Sequence, residues 1–329
     1  RGAGGGQSAA SGGHNLASEQ MTGWPAEWHQ PQFDSLRLIR QVAEGSMSAV
    51  WEGDWGGALV AVKILRAEPR ASAAAKEAAT ALLREVQIWS NLRHPAVCSF
   101  MGTCVQRGLP AIVLEYLPGS LHDLLHKPLS GKQKLRPLSE RTQLQISREI
   151  ATGVAYLHSE QLIHRDIKAA NVLLDEHSHV KLADFGISTG FGPEHTAETG
   201  TYRYMAPEVI RHQKYDHKCD VYSYGVLLWE VLHRQVPFRT HSPLQAAYAV
   251  AMERERPPIT LRGNLAPFAT VILACWDESA ARRPDAAEVV EMLTTLEAAM
   301  PTPRIEGSSG SFLQSLIKKG DSRGDGGMS

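Results

Sequence analysis

The sequence has few cysteines, almost no net charge and no long apolar run, and each shortage removes a class of function. Four cysteines, Cys98, Cys104, Cys219 and Cys275, are scattered through 329 residues without close pairs. No CxxC pair or Cys/His ladder occurs, so a zinc site is not expected, and free thiols in a reducing compartment are. The 34 basic and 35 acidic groups leave no net field. That speaks against nucleic acid or an acidic membrane as the main partner, because such binding rests on concentrated positive charge. No apolar run reaches the roughly eighteen residues of a membrane span, so no integral membrane segment is expected. Position 1 is arginine rather than methionine, and the chain reads as a fragment.

The two ends are poor in large apolar side chains. Residues 1–32 read as linker and 301–329 as a polar, Gly/Ser-rich tail. About 270 residues between them are enough to bury a large core, as one big domain or two lobes. The first part carries strand patterns at 36–42, 49–55, 58–65, 97–101 and 111–114, with a helical pattern over 72–93. The second part is helical: 121–126, a long helix capped by Ser139 and running to 158, then 222–232, 244–252, 268–276 and 286–299. In Ala58–Leu65 the alternation puts Leu59, Ala61 and Lys63 on one face. On the 72–93 helix, Glu85 lies beside Leu82 and Trp89 and so faces inward. Lys63 and Glu85 are therefore expected as an inward cation and anion on neighbouring elements; a surface salt bridge is the plainer alternative.

The richest stretch is His164-Arg-Asp-Ile-Lys-Ala-Ala-Asn171, followed by Asp184-Phe185-Gly186. Between them, two short apolar runs flank the polar tip Asp175–Ser178, which predicts a β-hairpin. A hairpin returns its ends to one place, so Asp166, Asn171 and Asp184 are expected to converge. Two carboxylates and an amide carbonyl form a hard-oxygen set that suits Mg²⁺, whose shell is usually completed by substrate phosphates. An ordinary turn with solvated acids is the alternative.

These residues, in this order, resemble the catalytic and metal-binding loops of eukaryotic protein kinases. Further motifs fall in the same family order: Lys63, Glu85, Ala206-Pro207-Glu208, Asp220 and Arg283. The resemblance covers about Leu36 to Leu296 and implies an α+β, bilobal fold. Its domain would span 33–300, with a lobe of antiparallel strands plus one helix at 33–114, a hinge at 115–119 and a mainly helical lobe at 120–300. It also implies transfer of the γ-phosphoryl of ATP to a protein hydroxyl. Asp166 would take or orient the hydroxyl proton, Lys168 would steady the γ-phosphate, and Glu85 would orient Lys63 on the α/β-phosphates. Asn171 and Asp184 would hold Mg²⁺, with Mn²⁺ as a substitute.

The phosphate-covering loop departs from the family's GxGxxGxV, since Ala43 and Ser48 replace two glycines while Gly45 and Val50 fit. ATP contacts are implied for Val42, Ala43, Gly45, Ser46, Met47, Ser48, Val50, Ala61, Lys63, Leu114, Glu115, Leu117 and Leu173. The segment Thr196-Ala-Glu-Thr-Gly-Thr-Tyr-Arg-Tyr-Met-Ala-Pro-Glu208 resembles the tyrosine-kinase-like group, in its Raf-like and plant-type dual-specificity branch. Lys168 implies serine/threonine acceptors, with tyrosine secondary. Phosphate on Thr199, or next Thr196, would pair with Arg165. Protein substrates and an upstream kinase or trans-autophosphorylation are the implied partners, in the cytoplasm. A nucleotide-binding scaffold without turnover is the alternative, favoured by the altered glycine loop and opposed by Lys63, Asp166, Asn171 and Asp184.

Overall fold

The computed structural model describes residues 30–44, 48–65, 86, 89–107, 109–128, 135, 137–184 and 201–300. The chain adopts the expected α+β fold, and its described residues divide into two compact units. Of the described residues, one unit holds those up to Leu92 and again Ser99–Tyr116, and the other holds Arg93–Cys98 and those from Leu117 on.

The first unit is a five-stranded antiparallel sheet in the order β1-β2-β3-β5-β4. Its strands are β1 (Arg37–Glu44), β2 (Ser48–Trp55), β3 (Ala58–Leu65), β4 (Phe100–Gln106) and β5 (Leu109–Glu115). The β2–β3 hairpin turns on Gly56 and Gly57, both at positive φ, as a two-residue turn of matching twist requires. Period-two alternation sorts β3: Val60, Val62 and Ile64 are buried, whereas Leu59 is 51% exposed. The buried set joins Phe33, Leu36, Cys104, Ala111 and Val113 in one apolar cluster.

The strand expected at 97–101 begins instead at Phe100 and continues to Gln106. The cause lies in the second unit. Leu182 accepts from the Cys98 N–H and donates to the Ala96 carbonyl, both at 2.8 Å, so this backbone is already committed. Of the helix expected over 72–93, Val86 and Trp89–Asn91 are described and helical; Glu85 lies outside the described residues.

The second unit has a small sheet of β6 (Gly119–Ser120), β7 (Val172–Leu174) and β8 (Val180–Leu182), and a set of helices. Gly119 sits in β6, paired with Leu174, and Glu115 closes β5, so the irregular link is 116–118 rather than 115–119. Helix α1 is Leu121–His126, and α2 is Glu140–Ser159, where the Ser139 side chain accepts from the Thr142 N–H at 3.0 Å. Helix α2 lies close on β8. A Cβ at Gly153 would meet Leu182 Cδ1 at 2.8 Å and the Ala96 carbonyl at 3.0 Å, so any larger residue would have to turn the Leu182 side chain and shift the Ala96 backbone. Helix α3 is Pro207–Ile210, and α4 is Lys218–His233, buried from Cys219 to Leu232 because it is apolar on nearly every side. The start of α4 corrects the expected 222: Asp220 lies within its first turn, not before the helix. The segment expected at 244–252 is α5 (Pro243–Tyr248) running into a π-helical turn, Ala249–Glu253. Helices α6 (Ala269–Cys275) and α7 (Ala286–Ala298) follow. All four cysteines are buried and none forms a disulfide, and no helix among the described residues is long and apolar enough to cross a membrane.

A buried ion pair ties α3 to the loop before α7. The Arg283 guanidinium donates to the two Glu208 oxygens at 2.6 and 2.8 Å, and to the carbonyls of Asp277 and Lys218 at 2.9 and 3.0 Å. Four of the five guanidinium N–H groups are engaged, which offsets the desolvation of a fully buried cation. Arg283→Ala strands Glu208, and a loss of about 3–5 kcal/mol is expected in urea unfolding. The double replacement Arg283→Met/Glu208→Gln should recover part of that loss; an unchanged midpoint for the single variant would remove the pair from the account.

Candidate active site

The site in the second unit is assembled from its backbone outward. Asp220, with no solvent exposure, accepts the His164 N–H at 2.7 Å and His158 Nε2 at 2.9 Å on one oxygen. Its other oxygen accepts the Arg165 N–H at 2.8 Å. These bonds hold Arg165 at φ 67°, a left-handed conformation that costs a non-glycine residue about 1–3 kcal/mol. Charge-assisted bonds of roughly 1.5–3 kcal/mol each are enough to hold it.

Asp166 follows at once and collects three donors. Lys168 Nζ lies 2.7 Å and Asn171 Nδ2 2.8 Å from Oδ2, and the Thr201 hydroxyl donates to Oδ1 at 3.1 Å. Lys168 also donates to the Thr201 hydroxyl at 2.9 Å, which leaves that hydroxyl's proton for Asp166. Asn171 Nδ2 in addition reaches the Asp166 carbonyl at 2.8 Å. A cleft beside Asp166 is lined by Arg165, Thr201, Met205 and Tyr215 among others.

Asn171 ends a 3-10 turn and leads into β7. Register pairs Val172 with Leu182, and the Ala183 N–H reaches the Asn171 carbonyl at 2.9 Å, so Asp184 is delivered beside Asn171. The hairpin tip is closed by Asp175, whose carboxylate accepts the N–H groups of His177 and His179, both at 2.8 Å. The structure thus brings Asp166, Asn171 and Asp184 together, with Asp184 exposed. Their donor set fits a hard cation. Both Nδ2 bonds of Asn171 go to Asp166, so its amide oxygen and the Asp184 carboxylate would be the ligands of such a cation.

Arg165 stands 5.9 Å from the Tyr215 ring, and its buried Nε has no hydrogen-bond partner among the described residues. Thr196 and Thr199 lie outside those residues, as do Gly45, Ser46 and Met47. Leu117 and Leu173 are half-buried, Leu173 opposite Ser120 and Lys181.

In the first unit, register aligns Ala43, Val50, Lys63 and Ile112 across four strands, and Glu52, Ala61 and Leu114 across three. These positions share the sheet face opposite Val60, Val62 and Ile64. Lys63 is half-buried rather than fully enclosed; Val42 and Ala43 are exposed, and Ser48 and Glu115 are half-buried. Glu52 on this face escaped the sequence reading. It is buried, takes a hydrogen bond from Arg40 at 2.6 Å and one from the Tyr116 hydroxyl at 3.0 Å. Burial, then the Glu52 carboxylate, pushes the Tyr116 hydroxyl above its ordinary pKa. Alternation with Val50 was the available signal for Glu52.

The family model for protein tyrosine and serine/threonine kinases matches residues 36–293. The chain belongs to that family. This kinase domain is 41% identical to the serine/threonine-protein kinase STY17 of Arabidopsis thaliana over 82% of its length and 46% of the relative's. It is 35% identical to the serine/threonine/tyrosine-protein kinase HT1 of the same plant, over 84% of this chain and 72% of that one. The serine/threonine-protein kinase CTR1, also from Arabidopsis thaliana, is 37% identical over 82% of this chain and 32% of its own. The chain spans under half the length of STY17. The resemblance to plant-type serine/threonine/tyrosine kinases stands.

Asp220→Ala would leave the His164 and Arg165 amides of the kinase domain unpaired. Hydrogen exchange at these two amides is expected to speed up by roughly tenfold or more, as loss of one charge-assisted bond implies. Unchanged protection would show that the loop holds its shape without the carboxylate.

Proposed function

We propose that the chain is an ATP-dependent protein kinase acting on serine and threonine, with tyrosine as a secondary acceptor. The observation that carries this reading is the arrangement of Lys168, Asn171 and Thr201 around the Asp166 carboxylate. The kinases it resembles are named for serine/threonine activity, one of them also for tyrosine. In this proposal Asp166 orients the acceptor hydroxyl and takes its proton as the oxygen attacks the γ-phosphorus. Lys168, already at 2.7 Å from Asp166, carries its cation next to the phosphoryl group in transfer. Asn171, through its amide oxygen, and Asp184 would hold Mg²⁺ or Mn²⁺. The bound cation would neutralise phosphate charge. Lys63 would hold the α/β-phosphates, with Glu85 orienting it.

The adenine and ribose would meet Val42, Ala43, Val50, Ala61, Leu114, Glu115, Leu117 and Leu173, and the loop of Gly45, Ser46, Met47 and Ser48 would cover the phosphates. Regulation runs through phosphate on Thr199, with Thr196 second, supplied by an upstream kinase or another copy of the chain. The buried Arg165 Nε without a described partner supports this, because a guanidinium edge in that state suits phosphate oxygens. A reducing, cytosol-like compartment is part of the proposal. Burial pushes the Cys104 thiol up to about 11 and raises those of Cys219 and Cys275 well above the ordinary thiol value, as expected of inert structural thiols.

Asp166→Asn is expected to lower kcat by about 10²–10⁴-fold in a radiolabelled ATP assay on a generic protein substrate, with nucleotide binding retained. Equal silence of the natural chain and the variant, in Mg²⁺ and in Mn²⁺, would sink the enzyme reading in favour of a nucleotide-binding scaffold. After incubation with ATP, mass spectrometry should find phosphate in the 187–208 peptide, and Thr199→Ala should reduce activity. Full activity in that variant would count against Thr199 as the switch.

A further inference from the structure

Away from Asp166, one group among the described residues has the chemistry of a transition-metal site: His122, His126 and Glu230. His122 and His126 are one helical turn apart on α1, so both rings lie on one face, with centroids 5.0 Å apart. Glu230 comes from α4 and is fully buried. One of its oxygens lies 2.7 Å from His126 Nε2, and the other accepts the Tyr204 hydroxyl at 2.7 Å. The Glu230 oxygen facing His126 is the one turned towards the histidine pair. The potential ligand atoms of all three residues lie within 4.8 Å of one another.

We propose that His122, His126 and Glu230 form a binding site for zinc or a similar divalent transition ion, with water as the fourth ligand. Two imidazoles and a carboxylate are a donor set that zinc takes at about 2.0–2.2 Å, and tetrahedral geometry then places neighbouring donors roughly 3.3 Å apart. His126 and Glu230 need separate by only about half an ångström to admit the ion. His122 is on the exposed side and reaches the ion by side-chain rotation, and the same side admits solvent. Tyr204 acts on the carboxylate from behind, as an outer hydrogen-bond donor that fixes ligand orientation. The nearby Arg234 guanidinium donates to the carbonyls of Leu124 and Leu125 at 3.3 and 3.4 Å. The sequence expectation against zinc rested on cysteine spacing, which this site does not use. Tyr204 lies three residues after Thr201, so ion binding grips the segment that also touches Asp166.

The test uses the full chain free of nucleotide, with Co²⁺ as the probe and Zn²⁺ as competitor. Tetrahedral Co²⁺ absorbs visibly, and one ion per chain, displaced by Zn²⁺, is expected. His122→Ala should weaken binding by roughly 100-fold or more, since even outer-shell partners of a metal cost 10–100-fold when lost. Because His122 is exposed, circular dichroism should find the variant folded; His126→Gln, which keeps a donor towards Glu230, is the second variant. The sequence has 14 histidines, so binding alone is not support. Absence of binding, or binding that survives both substitutions unchanged, overturns the site, and neither outcome depends on kinase activity.

Discussion

A single carboxylate shut away from water shapes the catalytic loop. Asp220 spends its charge on two backbone N–H groups and one imidazole, all between 2.7 and 2.9 Å. A buried anion is tolerable only with such partners, and the partners are thereby pinned to the helix that carries it. Since α4 is buried over nearly its whole length, it is a rigid base, and the loop inherits that rigidity. Precision at Asp166 thus comes from a residue that never meets solvent. Arg283 and Glu208 repeat the device further along, joining segments that have no continuous secondary structure between them.

Much of this was legible because it is local. The hairpin from Val172 to Leu182 announced itself by two short apolar runs and a polar tip, and its register alone carries Asp184 to Asn171. Ser139 signalled the start of α2, and alternation set Lys63 on the face away from Val60 and Val62. What failed was set by distant partners. Val97 and Cys98 have strand-like side chains, yet their backbone is taken by β8, so the strand begins later. At the start of α4 His217 makes no cap bond and the Asp216 carboxylate takes the Lys218 N–H at 2.9 Å instead, a signal that lies two residues before the helix, and Asp220 was read as the residue preceding it. Glu52 with Tyr116, and Glu230 with His126, meet across elements far apart in sequence, where no periodicity points. The 3.6- and 2-residue repeats report which face is buried, not which neighbour it finds.

Two charged groups on the sheet face opposite Val60 and Val62, Glu52 and Lys63, differ in burial. Glu52 is fully engaged by Arg40 and Tyr116 and buried, which makes it a fixed part of the strand. Lys63, two strand positions away in register, is only half-buried.

The donors gathered on Asp166 also set a limit on what can join them. A carboxylate has about four lone-pair directions, and Lys168, Asn171 and Thr201 occupy three of them. The fourth is on Oδ1, next to the Thr201 hydroxyl. A newcomer's O–H therefore has one approach vector and must share an oxygen with a hydroxyl already in place. Selection between a short aliphatic alcohol and a long phenol then becomes a question of reach: how far the peptide backbone must stand from a single lone pair whose direction the protein has already chosen.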